Sequence, residues 1–166
     1  MIRPAQLYTE ELNKKFWETA YDLHYKFYYT SGYFNAYKPD DSTWNRHEFV
    51  SVDKHNSVLG YIAYSIDRQS NYAHGLAIIN FGNSIIFGKD LYKAIDDVFM
   101  KYSFRKLRYS VIIGNPIEKT YDKLTKKYGG RIVGIFKNED KLSDGNYYDR
   151  KLYELHKREY EERRYA

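Results

Sequence analysis

Few side chains in this sequence can do chemistry, and the first is His74. It sits in Tyr72–Phe81 (YAHGLAIINF), an apolar run without Asp or Glu, so His74 is the group there that titrates near neutral pH. The run leads into Gly82–Lys89 (GNSIIFGK), a turn that opens a helical pattern. Backbone N–H groups at a helix start, with the positive end of the dipole behind them, hold a phosphate or pyrophosphate, and glycine lets the backbone come close. Lys89 would add charge there. Other chemistries lack their residues. The chain has no cysteine, which removes disulfides, thiolate zinc sites and cysteine nucleophiles together. His24, His47, His55, His74 and His156 have no i, i+4 or HExxH spacing. No Gly-x-Ser-x-Gly elbow, Walker lysine loop or complete dinucleotide fingerprint is present.

Periodicity shows what must position these groups. His47–Asp53, Val58–Ile66 and Tyr72–Phe81 read as three strands, with turns at Lys54–Ser57 and Asp67–Asn71, and short turns make neighbours antiparallel. Period-2 alternation puts His74 and Asn80 on one face with Tyr72, Leu76 and Ile78. Starting just after Gly88, Leu91, Ile95, Val98, Phe99 and Tyr102 form a helical stripe that feeds a strand at Leu107–Ile113. Strand, helix, strand is a crossover unit, so one parallel pair is expected inside an otherwise antiparallel sheet. Asn115-Pro116 then starts a helix whose stripe is Ile117, Tyr121, Leu124 and Tyr128, and Gly129-Gly130 stops it. Arg131–Lys137 is a further strand, Asp144-Gly145 a turn, and Tyr147–Leu155 the last strand. At the other end, residues 1–8 suit an edge strand, where Pro4 is tolerable. Leu12, Phe16, Ala20, Leu23 and Phe27 predict a helix from Thr9 to about Tyr29, and Thr30–Trp44 a long loop. The mixed-sign tail from His156 predicts a short solvated helix.

The stretch from Lys106 to Leu155 resembles the second half of the GNAT superfamily of acyl-CoA-dependent N-acyltransferases. In that family a strand ends in Asn, a helix carries Tyr-x-Lys, and a Gly closes it. A strand with an internal Gly follows, and the chain finishes on Gly-x-Tyr-x-Asp and an apolar strand. Here these are Asn115, Tyr121-Asp122-Lys123, Gly129, Gly134, then Gly145, Tyr147, Asp149, Tyr153 and Leu155. The helix is about a turn longer than the family pattern between Tyr121 and Gly129. The family's pyrophosphate loop, laid over Asn83–Gly88, keeps its last glycine; Asn83 stands where Gln or Arg is expected and Ile86 where the first glycine is. The resemblance implies an α/β domain of GNAT type, a mostly antiparallel twisted sheet with one parallel pair and helices on both faces. It implies transfer of an acetyl group from acetyl-CoA to an amine by direct attack. Tyr121 would protonate the departing thiolate, Asn115 would orient cofactor or acceptor, and Phe81, Asn83, Phe87, Gly88 and Lys89 would contact acetyl-CoA. His74 is the candidate base, with a water chain to Glu48 or a backbone carbonyl as the alternative. The acceptor would be cradled by the Thr30–Trp44 loop.

A chain of 166 residues is one domain's worth, spanning 1–166. No metal site is expected. The first residues are polar and charged and no apolar run reaches the length of a membrane span, so a cytoplasmic protein without membrane contact is expected. The partner would be a small-molecule or protein amine, and a homodimer stays open. Two other classes stand beside the enzyme. One is a GNAT-like domain that has lost cofactor binding and serves as an interaction module. The other, behind both, is a nucleic-acid binder using the 20 tyrosines and a net charge of +5, although such a charge is ordinary for solubility.

Overall fold

Seven strands form a single sheet in the order β1-β2-β3-β4-β5-β7-β6 in the computed structural model, which describes residues 1–28, 37–40 and 43–165. The strands are β1 (Ile2–Pro4), β2 (Arg46–Val52), β3 (Val58–Asp67), β4 (Tyr72–Asn80), β5 (Lys106–Ile112), β6 (Arg131–Lys141) and β7 (Tyr147–His156). The helices are α1 (Thr9–Thr19), α2 (Ile85–Met100), α3 (Glu118–Lys127) and α4 (Lys157–Arg164). Every neighbouring pair is antiparallel except β4 and β5, which the α2 crossover makes parallel. This is the mixed sheet the sequence predicts.

Each face of the sheet buries its own cluster. On one face Leu12 and Phe16 of α1 pack on Val50, Tyr61, Ala63 and Ile79. On the other, Phe87, Leu91, Ile95, Val98 and Phe99 of α2 and Tyr121 and Leu124 of α3 pack on Tyr64, Leu107, Tyr109, Val111 and Tyr153. The tail helix is not wholly solvated. Tyr160 of α4 is buried, with ring centroids 4.6 Å from Phe99 and 4.5 Å from Tyr128.

Within residues 1–80 three local expectations change. The first strand is only Ile2–Pro4, because a 3-10 turn at Ala5–Tyr8 follows directly. The first helix stops at Thr19, about ten residues early. Asp22 accepts a hydrogen bond from the His24 backbone at 2.9 Å and starts a separate 3-10 turn, Leu23–Tyr25. The apolar pattern past Phe16 therefore runs on outside the helix, where Leu23 is exposed. Most of the Thr30–Trp44 loop lies outside the described residues.

The third change bears on the site. On β4 the register with β3 shifts between Ala63 and Ser65, so that Ala77 pairs with Ala63 and His74 with Ser65. Gly75, at φ +64, is the extra residue of this bulge. Directly paired residues share a face. His74 and Tyr72 thus lie on the α1 face, while Leu76, Ile78 and Asn80 lie on the α2 face, not with them as unbroken alternation predicts.

Candidate active site

β4 and β5 are joined over two rungs only, Ala73 with Leu107 and His74 with Arg108. The bulge comes one residue later, and bulges bend and twist a strand. Beyond it the strands part. The facing backbone edges of Gly75–Asn80 and Tyr109–Ile112 do not pair with each other.

At the wide end of this gap, the β4 arm runs into α2. Asn80 Oδ1 accepts from the backbone of Gly82 at 3.4 Å and of Ser84 at 3.2 Å, Asn83 takes a left-handed φ of 50°, and Ser84 Oγ caps α2 by accepting from Ile86 at 3.2 Å. The helix therefore starts at Ile85, before Gly88, and Gly88 and Lys89 lie inside its first turns. A Cβ on Gly88 would meet nothing within 4 Å, and Lys89 is exposed. Phe87 departs from its expected role. Its side chain is 2% exposed and packs in the core beneath Gly60, so the ring is not offered to a ligand.

The β5 arm ends at Gly114, whose φ is +98, and Asn115. Asn115 is buried; its Oδ1 accepts from Ile117 at 3.2 Å, while Glu118 accepts from Gly114 at 3.0 Å. These bonds shape the turn that leads into α3, which opens at Glu118 with no side-chain cap, so the geometry gives Asn115 a turn-forming role.

Residues 25–28 cross the opening. The Tyr25 hydroxyl donates to the Phe81 carbonyl at 2.9 Å, and Phe27 lies 3.7 Å from where a Gly114 Cβ would be. Lys26 donates at 2.9 Å to both Asp144, in the β6–β7 turn, and the Tyr148 hydroxyl of β7. Hydrogen bonds from Tyr148 and then Lys26 hold the Asp144 carboxyl far below the usual carboxylate range.

Tyr121 lies on the α3 side of the gap, 2% exposed, edge-on to Tyr109 with centroids 5.1 Å apart. Its hydroxyl makes no hydrogen bond to a described residue. Nor is it one of the two unpaired polar side-chain atoms sealed from water among the described residues, the Tyr37 hydroxyl and Glu159 Oε2. Burial, and then the Tyr109 and Tyr28 phenols, push its pKa well above the ordinary 10. Burial likewise raises the pKa of Tyr28. Two phenols thus converge on the gap, and both stay protonated at neutral pH.

His74 is half-buried at the narrow end. Burial and then the nearby Arg108 push its pKa down against the pull of Asp67. A neutral imidazole can accept a proton. Glu48, the alternative base, is 5% exposed, and its oxygens are taken by the Tyr61 hydroxyl at 2.5 Å, the Asp40 backbone at 2.7 Å and Arg46 at 3.4 Å. Among the described residues no group of His, Asp or Glu could hold a metal ion, and no helix is long and apolar enough to cross a membrane. A cavity of about 670 Å³ lies away from the gap, near the β1 edge and against α2, where Ile2, Phe49 and Tyr102 line it and Asp90 is bonded to Ser51 at 2.6 Å.

The sequence reading did not single out Ser84, Tyr25, Tyr28 and Arg108. Ser84 had a signal, since Phe87 continues the Leu91–Val98 stripe back by one turn and a Ser just before it is a cap. The others are brought to the gap by tertiary packing alone.

The sequence matches no family profile, and no curated protein matches it. Solved structures do. A candidate phosphinothricin N-acetyltransferase superposes with a TM-score of 0.71 at 18% identity, over 95% of this chain and 98% of that one. The spermidine N-acetyltransferase of Vibrio cholerae in complex with CoA and spermine gives 0.67 at 16% identity, over 96% of each chain. The spermidine/spermine N-acetyltransferase SpeG from Vibrio cholerae with manganese ions gives 0.61 at 20% identity, over 73% of this chain and 71% of that one. The chain has the GNAT fold. Its parted parallel strands are β4 and β5, with the start of α2 beyond the first and the buried Tyr121 of α3 beside the second.

Proposed function

We propose that this protein is an N-acetyltransferase that moves an acetyl group from acetyl-CoA to an amine. The observation that carries the reading is the β4–β5 gap. Two adjacent strands whose facing edges do not pair with each other beyond His74 and Arg108 can take up an extended chain bearing amides, which is the chemistry of the pantetheine arm of CoA. At the wide end the Ile85 and Phe87 N–H groups of the first turn of α2 have no partner among the described residues, and the open surface at Gly88 lets a pyrophosphate approach them. Phe81, Asn83 and Lys89 flank that approach. Bound acetyl-CoA supplies the activated acyl group.

The side chains then share the proton work. His74 accepts the proton lost by the amine as the new C–N bond forms at the thioester carbonyl. Tyr121 donates its phenolic proton to the sulfur as the C–S bond breaks. Isothermal titration with acetyl-CoA, with desulfo-CoA and ATP as controls, tests the reading. Micromolar one-to-one binding is expected, with Gly88→Trp abolishing it. Absence of binding up to millimolar ligand would leave the interaction-module reading, which Asn83 and Ile86 in the phosphate turn favour.

A homodimer is part of the same reading. β6 is an edge strand, and Ile132, Val133, Ile135 and Phe136 are 52%, 53%, 45% and 50% exposed. An irregularity between Ile132 and Gly134 puts Ile132 and Ile135 on the face of Tyr153 and Lys151, and Arg131 and Phe136 on that of Glu154 and Arg150. Antiparallel pairing with Ile132 opposite Ile135 of a second copy then matches faces, lays Arg131 beside Phe136 and sets no like charges opposite. Light scattering after gel filtration is expected to show a dimer that Ile135→Lys converts to monomer. A monomeric wild type would overturn this arrangement.

A further inference from the structure

The narrow end of the gap is ringed by arginines. His74 and Arg108 form its last rung. Arg108 is exposed on the α1 face, 4.6 Å from the Tyr72 ring centroid, and donates to the Tyr72 hydroxyl at 2.8 Å. Arg105 and Lys106 lie 5.8 and 5.5 Å from the same ring. On the other side of His74, the paired Ser65 receives a hydrogen bond from Arg46 at 3.1 Å, and farther up β5 Ser110 receives one from Arg150 at 2.9 Å.

Most of these cations are spoken for. Arg46 pairs with Glu48 at 3.4 Å, Lys106 with Glu154 at 3.6 Å and Arg150 with Asp140 at 2.7 Å. Arg105, which also lacks a carboxylate partner among the described residues, donates to the Ser70 carbonyl. Arg108 has no carboxylate partner among the described residues, and Glu154, beside it on β7, is taken by Arg131 at 2.7 Å and Lys106. The guanidinium nearest His74 is therefore an unpaired planar fork held in place by Tyr72. Such a fork matches a carboxylate in two parallel hydrogen bonds, and it repels a cation.

Resting on the acetyltransferase reading, we infer that the acceptor is an amine carried on a carboxylate-bearing molecule, and that Arg108 receives the carboxylate while His74 receives the amine. A polyamine is the wrong partner for this face. The carboxylate fits either a free amino acid or an acidic peptide, so the acceptors compared are L-glutamate, an amidated peptide with an acidic second residue, n-butylamine and spermidine, with thiol release from acetyl-CoA as the readout.

The expected result is a kcat/KM at least about 10-fold higher for one of the two anionic acceptors than for n-butylamine, and lowest for spermidine. Which anionic acceptor leads tells the two sources apart. Arg108→Ala is expected to raise the KM of that acceptor about 10- to 100-fold with a much smaller fall in kcat. Arg108→Lys should recover part of the loss, and Arg108→Glu should turn the preference toward spermidine. The exposed position makes misfolding an unimportant outcome, and a thermal melt of each variant checks it. A wild type that prefers spermidine or n-butylamine, or an anionic acceptor whose KM ignores Arg108→Ala, would overturn the inference while leaving acetyl transfer intact. Failure of acetyl-CoA itself to bind would overturn both.

Discussion

With Tyr121 replaced by phenylalanine, kcat for acetyl transfer is expected to fall about 100-fold or more, with acetyl-CoA binding as before. The ring survives in the substitution, and so do its contacts with Tyr109 and Tyr153. The lost hydroxyl makes no hydrogen bond to a described residue, so little stability goes with it. The measured loss is then the loss of a proton donor. The direction of the pKa shifts fixes the pH profile. Tyr121, raised above 10, stays protonated through the working range, so the alkaline limb in kcat begins only above pH 10. His74, lowered below 6.5, is already neutral at pH 7, and activity is expected to fall as pH drops through its folded-state pKa. A Tyr121→Phe variant with unchanged kcat would make Tyr121 a core ring only, and Tyr28, the other phenol at the gap, would be the donor to test.

How much of this was written in the sequence depends on what kind of signal each part leaves. The crossover from Tyr72 through α2 to Lys106 was legible, because strand and helix periods differ and a crossover between parallel strands needs a helix. Asn115-Pro116 was legible as the approach to a helix, although α3 itself opens later, at Glu118. The parting of β4 and β5 was not read, yet Gly75 inside a strand is the residue a bulge uses, and it sits where the face of His74 separates from that of Leu76. Helix α1 misled because Leu23 and Phe27 keep its period without joining its buried stripe. Leu23 is 59% exposed and Phe27 packs against Tyr148 with centroids 5.7 Å apart. Nothing local in the sequence says that Tyr25 reaches Phe81, 56 residues away, or that Arg108 loses its neighbour Glu154 to Arg131 and Lys106. Those are choices made by the assembled sheet.

Phe87→Ala is expected to cost about 3–5 kcal/mol of stability, a fall in Tm of about 10 °C, while leaving the affinity for acetyl-CoA within a few-fold when measured well below Tm. Its place in the phosphate turn makes Phe87 look like a cofactor contact, but the ring points the other way. A Cβ on Gly60 would come within 2.2 Å of Phe87 Cδ2, so β3 has been left without a side chain there to let the ring of α2 seat against the strand. The ring joins the Leu91, Ile95 and Val98 stripe, and truncating it opens a cavity between α2 and the sheet. Gly60→Ala tests the same joint from the strand. The new methyl would also meet the Ile79 carbonyl at 2.6 Å, backbone that no rotamer change relieves, so that variant should lose stability as well. If Phe87→Ala instead raised the Kd for acetyl-CoA tenfold at an unchanged Tm, the ring would be a ligand contact and the packing account of the first turn of α2 would fall. The turn would then hold its ligand by a side chain, and not, as proposed, by the backbone of Ile85 and Phe87 that Ser84 and Asn80 position.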